Sequence, residues 1–491
     1  MDFMPKTTTS NPNILLVSID SLRADHLSVY GYKKETSPYL DGLAMDGMLF
    51  ENAITAANWT GAAVASLLTG LYPTCHGYTN ARYYLDADVE SIATLLQKNG
   101  YFTICFSNNM YISASTGLNQ GFTDFRYQGK LEKMPDAAES KKPKTPASLM
   151  KAMLSPRTKS LLKDVLDSFQ IRKRLSRDDG AFRTEVSFID WLAHYQGTDP
   201  FFAYIHYQEP HSIYFPPFPF RRRFFTGSWV EESAYLHYDH IGFFAGKHSF
   251  TEEQIEHYQQ LYDGEIAYLD WRLGRLFDFL RQKKVFDRTM IIVTADHGEC
   301  MGENGYFWHA FCLYDPLIRV PLIVHYPEWF SKASRVTKIV QSNDIVPTIL
   351  EGLGIEWRHQ GEGQGQSFLH GPRRTAALTE TDNPEKMVAR WLKRRTDVRE
   401  EDFRHYLRDL TSYRTVDEKL IRASDGFHEF YDLVADPQES HNAYAASGKR
   451  IKAAEKALRE WHGTFRPHVA DSHQPGFDKD TWEKMKSLGY A

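Results

Sequence analysis

MIIVTADHGE, residues 290–299, sets an apolar run directly against an acid–histidine pair. A short apolar run without polar alternation reads as a strand buried on both faces of a parallel sheet. Asp296 and His297 then fall at its carboxyl end. ILLVSI (14–19) has the same character and ends on Asp20. YFTICF (101–106), FFAYIHY (201–207) and VPLIVHY (320–326) are further runs of this kind. Helical stretches lie between them. Residues 90–99 read as a helix stopped by Gly100. Over 257–280, Tyr262, Ile266, Leu269, Leu273, Leu276 and Leu280 step by three or four and form one apolar face. Strands alternating with helices predict an α/β fold with a doubly wound, mostly parallel sheet.

Composition bounds the rest. The chain has 491 residues, 42% hydrophobic and 25% charged, which is a globular balance and excludes disorder over most of its length. Lys plus Arg is 58 and Asp plus Glu is 63, a net charge of −5, so no global basic field points to nucleic acid. The four cysteines, 75, 105, 300 and 312, contain no C-x-x-C pair and form no disulfide framework. The opening MDFMPKTTTSNPN lacks a signal-peptide core, and no run of about 18 apolar residues suggests a membrane span. The expected location is a reducing cytoplasm.

We read residues 1–370 as one α/β domain, with a Lys-, Pro- and Ala-rich insertion at about 129–180. That insertion reads either as a cap over the site or as a solvated helical excursion. FPPFPFRRRFFT (215–226) reads as a Pro-rich loop with a basic aromatic tip, facing an anionic substrate, a partner subunit or only solvent. Residues 371–491 read as a C-terminal α+β subdomain. Within it, 412–433 suggests antiparallel strands with a turn at Ser424-Asp425-Gly426, and 449–461 suggests a helix.

Ligands of open α/β sheets gather beyond the carboxyl ends of the strands. Asp20, Asp296 and His297 all fall there. A carboxylate at a strand end often only caps the next helix. Two of them, one followed directly by His, favour a metal site, and the mixed O/N donor set suits Zn²⁺ or Mn²⁺. An all-oxygen set would suit Ca²⁺ or Mg²⁺. In NWTGAAVASLLTG (58–70) the small apolar residues read as a buried helix, with Thr60 at its N-cap. Capping alone explains a Thr there. The same geometry beside a dication would lower the hydroxyl pKa and arm it against phosphorus or sulfur. His206 and His211 follow one strand and His309 lies in YFWHAFCLYD, so these could bind an anionic oxygen or protonate a leaving group. His76 reads as structural.

Taken in order, these segments resemble the sulfatase family of the alkaline phosphatase superfamily. The resembling stretches are NILLVSIDSLRADHLSVYGY, ASLLTGLYPTCHG, EPHSIYFPP, YDGEIAYLDWRLGRL, TADHGE, LYDPLIRVPLIVHYP, NDIVPTILEGLG, FYDLVADPQESHN and MKSLGYA. The resemblance implies the superfamily's fold and metal-assisted ester chemistry. The departures fall in the site. Thr60 stands where the family carries the Cys or Ser matured to formylglycine, and Ala62, Ala63 and Val64 replace its Pro, Ser and Arg. Asn108 stands at a Lys position, Asp20-Ser21 replaces an Asp-Asp pair, and His309 replaces a later Lys.

A formylglycine hydrate expels sulfate from its own geminal diol, whereas a Thr ester must be hydrolysed by water. The resemblance therefore implies an ester hydrolase with phosphodiester or phosphonate monoester chemistry favoured over arylsulfate. It assigns one divalent ion, Mn²⁺ or Zn²⁺ favoured over Ca²⁺ or Mg²⁺, to Asp20, Thr60, Asp296 and His297. Thr60 is the expected nucleophile, with His211 and His309 catalytic beside it and Asn108 and His206 binding a small anionic ester. Glu299 and Asp315 are expected to orient the metal ligands. Two other classes stay open: a decayed site on a binding protein, and a transferase of phosphoryl-linked groups. Homo-oligomer formation is left open as well.

Overall fold

The computed structural model describes residues 11–128, 180–228, 239–357, 364–446 and 448–469, with 231, 232 and 235. All but Gly180 of the expected insertion, and the terminal MKSLGYA, lie outside the described residues.

Eight strands form the central sheet: β1 Asn13–Ile19, β2 Met48–Ile54, β3 Phe102–Ser107, β4 Asp124–Tyr127, β5 Phe201–Tyr207, β6 Thr289–Ala295, β9 Arg319–His325 and β10 Ser334–Gln341. Their order is β10-β2-β9-β6-β1-β5-β3-β4. The apolar runs form these strands because each is buried on both faces; Ile14, Leu15, Leu16 and Val17 expose nothing. Burying each such side chain stabilises the fold by roughly 1.5–3 kcal/mol. Every pairing is parallel except those of β9, which runs against both β2 and β6. The sheet is therefore mixed, with one antiparallel strand inside it. The physical reason lies in the connection. Between β6 and β9 the chain makes no crossover helix, only the hairpin β7 Cys300–Met301 with β8 Phe307–Trp308 and a single helical turn, Asp315–Ile318. A reversal of this kind starts and ends on one sheet edge, so residues 296–318 all stay at the carboxyl edge of β6.

The helix expected over 257–280 spans Glu252–Gln282. Thr251 and Gln254 close a capping box at its start, which satisfies donors that the helix itself cannot. Its apolar face packs on the sheet. On the same helix, Asp270 accepts the Tyr39 and Leu40 backbone N–H groups. Tyr262 accepts the Arg23 N–H at 2.8 Å and donates to the Ser21 carbonyl at 2.7 Å, so the helix also holds the loop that follows β1.

A second, antiparallel sheet runs β11 Ala377–Thr381, β12 Leu410–Arg414, β13 Glu418–Ala423, β14 Glu429–Asp432 in that order. Between β13 and β14 the expected turn is present, with Gly426 at φ +85°. The helix Gly448–His462 covers this sheet. Leu378, Leu420, Phe430, Ile451 and Leu458 join the same hydrophobic core as the central sheet. No helix of the described residues is long and apolar enough to cross a membrane. The basic tip at 215–226 is turned to internal use. Arg221 lies 3.9 Å from the Phe215 ring and 4.3 Å from the Phe218 ring and pairs with Glu232 at 3.1 Å. Arg223 pairs with Glu35.

His76 lies buried beneath the helix Thr60–Thr69. It sits 2.9 Å from the Ser66 hydroxyl through Nε2, and its Nδ1 accepts the Tyr78 N–H. The ring is thus built in as neutral, and burial pushes its pKa down to about 3. The unfolded chain takes up this proton near pH 6.5 and the folded chain does not. The stability linked to it is complete above that pH and is lost as pH falls, at about 1.4 kcal/mol per pH unit over the interval. A His76→Gln variant is expected to be less stable at pH 7 but to show a shallower loss between pH 6 and 4 in denaturant titrations. Parallel curves for the two proteins would remove His76 from the acid sensitivity.

Candidate active site

Strands β1 and β6 are parallel neighbours in register, with Ser18 beside Thr294 and Ile19 beside Ala295. The next residue on each strand is an aspartate, so Asp20 and Asp296 come off the sheet side by side. His297 follows, and the ligand atoms of Asp20, Asp296 and His297 lie within 4.8 Å of one another, all buried. Asp296 accepts the His297 N–H at 2.8 Å and the Ser21 N–H at 3.3 Å, and His206 Nε2 stands 3.4 Å from its second oxygen. Asp20 accepts the Ser21 hydroxyl at 3.1 Å and the Asn109 amide at 2.8 Å. Burial and the facing Asp296 carboxylate push the Asp20 pKa up. Burial acts the same way on Asp296, but His297 and the His206 contact outweigh it and hold that carboxyl below its ordinary range.

The donor set fits a divalent cation. Two unit charges about 4 Å apart repel by about 4 kcal/mol at an effective dielectric of about 20, which a dication between them reverses. His297 Nδ1 faces the Gly298 carbonyl at 2.7 Å, which assigns the proton to Nδ1. Its Nε2 lone pair is then turned toward Asp20 at 3.7 Å and Asp296 at 3.8 Å, as a metal-binding imidazole requires.

Thr60 is the first residue of the helix Thr60–Thr69, and Trp59 occupies the N-cap position without a side-chain cap. The hydroxyl does not cap the helix, so capping does not account for it. It points out of the helix start, 3.3 Å from His297 Nε2. The following Gly61 is required by packing, because a Cβ there would meet the Trp59 ring at 2.4 Å and the Tyr78 ring at 2.5 Å. A fully buried helix thus aims its N-terminal N–H groups and Thr60 at Asp20, Asp296 and His297.

His309 follows the β7–β8 hairpin. Its ring lies 4.6 Å from that of His297 and 5.2 Å from that of His211, centroid to centroid. His309 Nδ1 contacts Glu299 at 3.0 Å, and Tyr214 donates to the other Glu299 oxygen at 3.2 Å. Burial and the neighbouring His297 and His211 rings push the His309 pKa well below its ordinary value. Burial and the Asp20 carboxylate push Glu299 well above its own. Trp308 at φ +70° and Ala310 at φ +83° flank His309. Non-glycine residues hold this conformation only where the surroundings over-determine it. Here Trp308 is pinned by its pairing with Cys300. Cys300 and Cys312 place their sulfurs 3.5 Å apart behind this loop.

Two expectations change in detail, and two further contacts were not foreseen. His206, expected at the substrate, is fully buried on β5 and faces Asp296, because the in-register β5 places it beside Ser18 of β1. Asp315, expected near the metal, pairs with Arg414 at 2.8 Å and Lys419 at 2.5 Å, tying the reversal loop to the second sheet. Asn108 lines the cleft, and the amide that reaches Asp20 is that of the next residue, Asn109. The Tyr111 N–H donates to Asn109 Oδ1 at 2.9 Å, which turns the Asn109 NH₂ toward Asp20. SNNMY offered both residues, and only the turn after β3 separates them. Arg23, unmarked in the sequence, donates to the Glu299 carbonyl at 3.1 Å and pairs with Glu303, joining the loops after β1 and β6.

Above Thr60 opens a cleft of about 640 Å³, its open mouth included. Asn108 and His309 line it beside Thr60, with Trp59, Tyr83, Tyr111 and Trp308 as aromatic walls. Arg390 and Met387 reach it from the helix Glu385–Arg394.

This arrangement and its order along the chain are those of a hydrolase family. The chain belongs to the sulfatase family, whose model, described as Sulfatase, matches residues 12–355. A second model, N-sulphoglucosamine sulphohydrolase, C-terminal, matches residues 302–460. Among curated relatives, the N-acetylglucosamine-6-O-sulfatase of Bacteroides thetaiotaomicron is 24% identical, over 96% of this chain and 89% of that protein. Among solved structures, the phosphonate monoester hydrolase of Agrobacterium radiobacter superposes with a TM-score of 0.67 at 22% identity, over 92% of this chain and 96% of that one. BT4656, solved with its substrate D-glucosamine-2-N,6-O-disulfate, superposes with a TM-score of 0.65 at 20% identity, over 92% of this chain and 98% of that one. These likenesses establish the alkaline-phosphatase-like fold.

The paired carboxylates make a thermal prediction. Mn²⁺ or Zn²⁺ added to chelator-treated protein is expected to raise Tm by several degrees, and Asp20→Asn and Asp296→Asn are each expected to abolish most of the rise. In chelator, Asp20→Asn is expected to melt above the wild type, because it removes one of two facing charges. A full metal-induced rise in Asp296→Asn would place the ion elsewhere.

Proposed function

We propose that the protein is a metal-dependent hydrolase of anionic esters that acts through Thr60. The observation that carries this reading is the Thr60 hydroxyl, uncapped at a helix start and 3.3 Å from His297 Nε2, beside Asp20 and Asp296. Asp20, Asp296, His297 and Thr60 would hold one divalent ion, with Mn²⁺ or Zn²⁺ favoured by the imidazole donor. When bound, the ion supplies positive charge that lowers the Thr60 pKa and neutralises the ester anion.

The chain's own groups do the rest. Thr60 Oγ attacks the central atom in line, forming a Thr ester as the bond to the leaving oxygen breaks. Free N–H groups at the helix start stabilise the negative oxygens. His309, held neutral at rest, offers a ring nitrogen as proton acceptor and passes the proton to the leaving oxygen, while Glu299 orients the ring through Nδ1. His211 flanks the same face. Its Nδ1 is 2.6 Å from the Ser212 carbonyl, which leaves Nε2 as an acceptor. Attack of water on the central atom then releases the acid and restores Thr60. His206 and Asn109 act by holding Asp296 and Asp20 in place.

Phosphodiesters and phosphonate monoesters are the favoured substrates, because a Thr ester lacks the geminal hydroxyl that expels sulfate from a formylglycine hydrate. The phosphonate monoester hydrolase neighbour is consistent with that choice. Similarity as a whole does not favour it: the curated relatives are mostly sulfatases, so sulfate esters are the second reading. Retention of three buried donors weighs against a decayed site, since uncompensated buried charge is costly.

The test is a panel of 4-nitrophenyl esters: sulfate, phosphate, phenyl phosphate diester and phenylphosphonate, with metal-reloaded protein. The expected leader is the diester or phosphonate, and Thr60→Ala is expected to lower kcat at least about 10³-fold while binding the metal. Sulfate in the lead would overturn the phosphorus preference. Turnover in Thr60→Ala at the wild-type rate would overturn the nucleophile. A new ester formed with added alcohol would mark a transferase.

A further inference from the structure

Behind the loop that carries His309 lies a pair of thiols to which ester hydrolysis gives no task. Cys300 opens β7 and Cys312 follows β8, so His309 lies on the chain between them. Their sulfurs stand 3.5 Å apart. Cys300 exposes nothing and Cys312 is 4% exposed, in an apolar cluster with Phe244, Phe311 and Tyr314. The other two cysteines sit elsewhere, Cys75 against Gln364 and Cys105 within β3.

Both ends of this loop are anchored to the site. On the first side, Arg23 donates to the Glu299 carbonyl, and Cys300 pairs with Trp308 across the hairpin. On the second, the Asn58 amide donates to the Cys312 carbonyl at 3.0 Å, and Lys419 donates to the Leu313 carbonyl at 3.2 Å. Asn58 is fully buried and stands just ahead of Trp59 and Thr60. Its hydrogen bond therefore ties the segment that leads to Thr60 to the segment that follows His309.

A disulfide holds its sulfurs about 2.05 Å apart, so bonding this pair draws the two sulfurs together by about 1.5 Å. The hairpin pairing holds Cys300, and the shift falls on residues 309–312. These include His309 and Ala310, whose φ of +83° is kept by its surroundings. A displacement of about 1 Å at a reacting group can cost about 10²-fold in rate.

We propose that Cys300 and Cys312 form a redox switch on this site: oxidation to a disulfide shifts the His309 loop relative to Thr60 and turns the hydrolase down, and reduction restores it. The effect on rate rests on the ester-hydrolase reading; the bond and the loop shift do not. The oxidant is a hydroperoxide. Cys312, the more exposed residue, takes one peroxide oxygen as a sulfenic acid, and the first water leaves. The Cys300 sulfur attacks the Cys312 sulfur, the S–S bond forms, and the hydroxyl departs with the Cys300 proton as a second water. Two thiols and one hydrogen peroxide thus become one disulfide and two waters. The Cys312 contact and burial push the Cys300 thiol pKa well up, which suits Cys300 to the second step. A dithiol reverses the bond by exchange.

The experiment treats the protein with hydrogen peroxide, clears it with catalase, reloads the metal in every arm and divides it between peptide mapping and ester hydrolysis. The expected map shows a crosslink between Cys300 and Cys312. The expected kcat falls at least about tenfold and returns after dithiothreitol. The fall should be larger for a phenyl than for a 4-nitrophenyl ester, because the poorer leaving group depends more on the proton from His309. Cys300→Ala and Cys312→Ala, each against its own untreated rate, are expected to lack the reversible fall. Thiols still reduced after prolonged peroxide would overturn the switch, and so would a complete crosslink with the rate unchanged. If no ester turns over in any arm, amide hydrogen exchange across residues 309–312 decides. A crosslink that changes exchange there leaves the loop shift standing while the hydrolase reading fails, and a crosslink that changes nothing there overturns the switch.

Discussion

Two aspartates placed side by side at the ends of adjacent parallel strands are the constraint on which the site turns. Asp20 and Asp296 are buried and face each other, and among the described residues the groups set against them are the imidazoles of His206, His211 and His297. Such a pair is unfavourable unless a cation or a shared proton joins it. The elements around it act to keep the pair together. Tyr262 of the long helix holds the loop after Asp20, Asn109 and Ser21 donate to Asp20, and His206 stands behind Asp296. The sheet core thus contributes stability that offsets the local electrostatic cost.

The antiparallel strand β9 is the second determinant. Had the chain returned by a crossover helix, the segment after Asp296 would have left the carboxyl edge. Instead it doubles back there and brings Glu299, His309 and Trp308 over Asp20, Asp296 and His297. Its backbone strain at Trp308 and Ala310 is held by the short β7–β8 pairing and by the Trp308–Trp391 contact. Asp315, paired with Arg414 and Lys419, anchors the far end of the same loop to the second sheet. The C-terminal segment therefore both braces the loop that carries His309 and furnishes a wall of the cleft.

Much of this was legible in the residues, for reasons that differ by element. The strands at 14–19, 201–207 and 290–295 could be read because continuous burial leaves a continuous apolar run. The long helix could be read because its buried face repeats at helical spacing. Thr60 stood out because it opens a run of small apolar residues that reads as a buried helix, where a hydroxyl either caps the start or faces a ligand. The antiparallel sense of β9 could not be read, since an apolar run carries no direction. His206 was misplaced because alternation along β5 says which face a side chain takes, but not which neighbour lies across from it. Arg390 was invisible for a similar reason: its surroundings come from residues about 300 positions earlier.

The sequence by itself determined that acids and an imidazole end two buried strands and that a threonine opens a small-residue helix, while its resemblance to the sulfatase family implied the fold type. These are local properties, because burial and periodicity are written in neighbouring residues. Only the tertiary structure decided which strands are neighbours, that Asn109 holds Asp20, that Asp315 serves the second sheet, and that Arg390 shares the cleft with Thr60. Those facts depend on register, loop path and helix phase, which arise only when distant segments pack against one another.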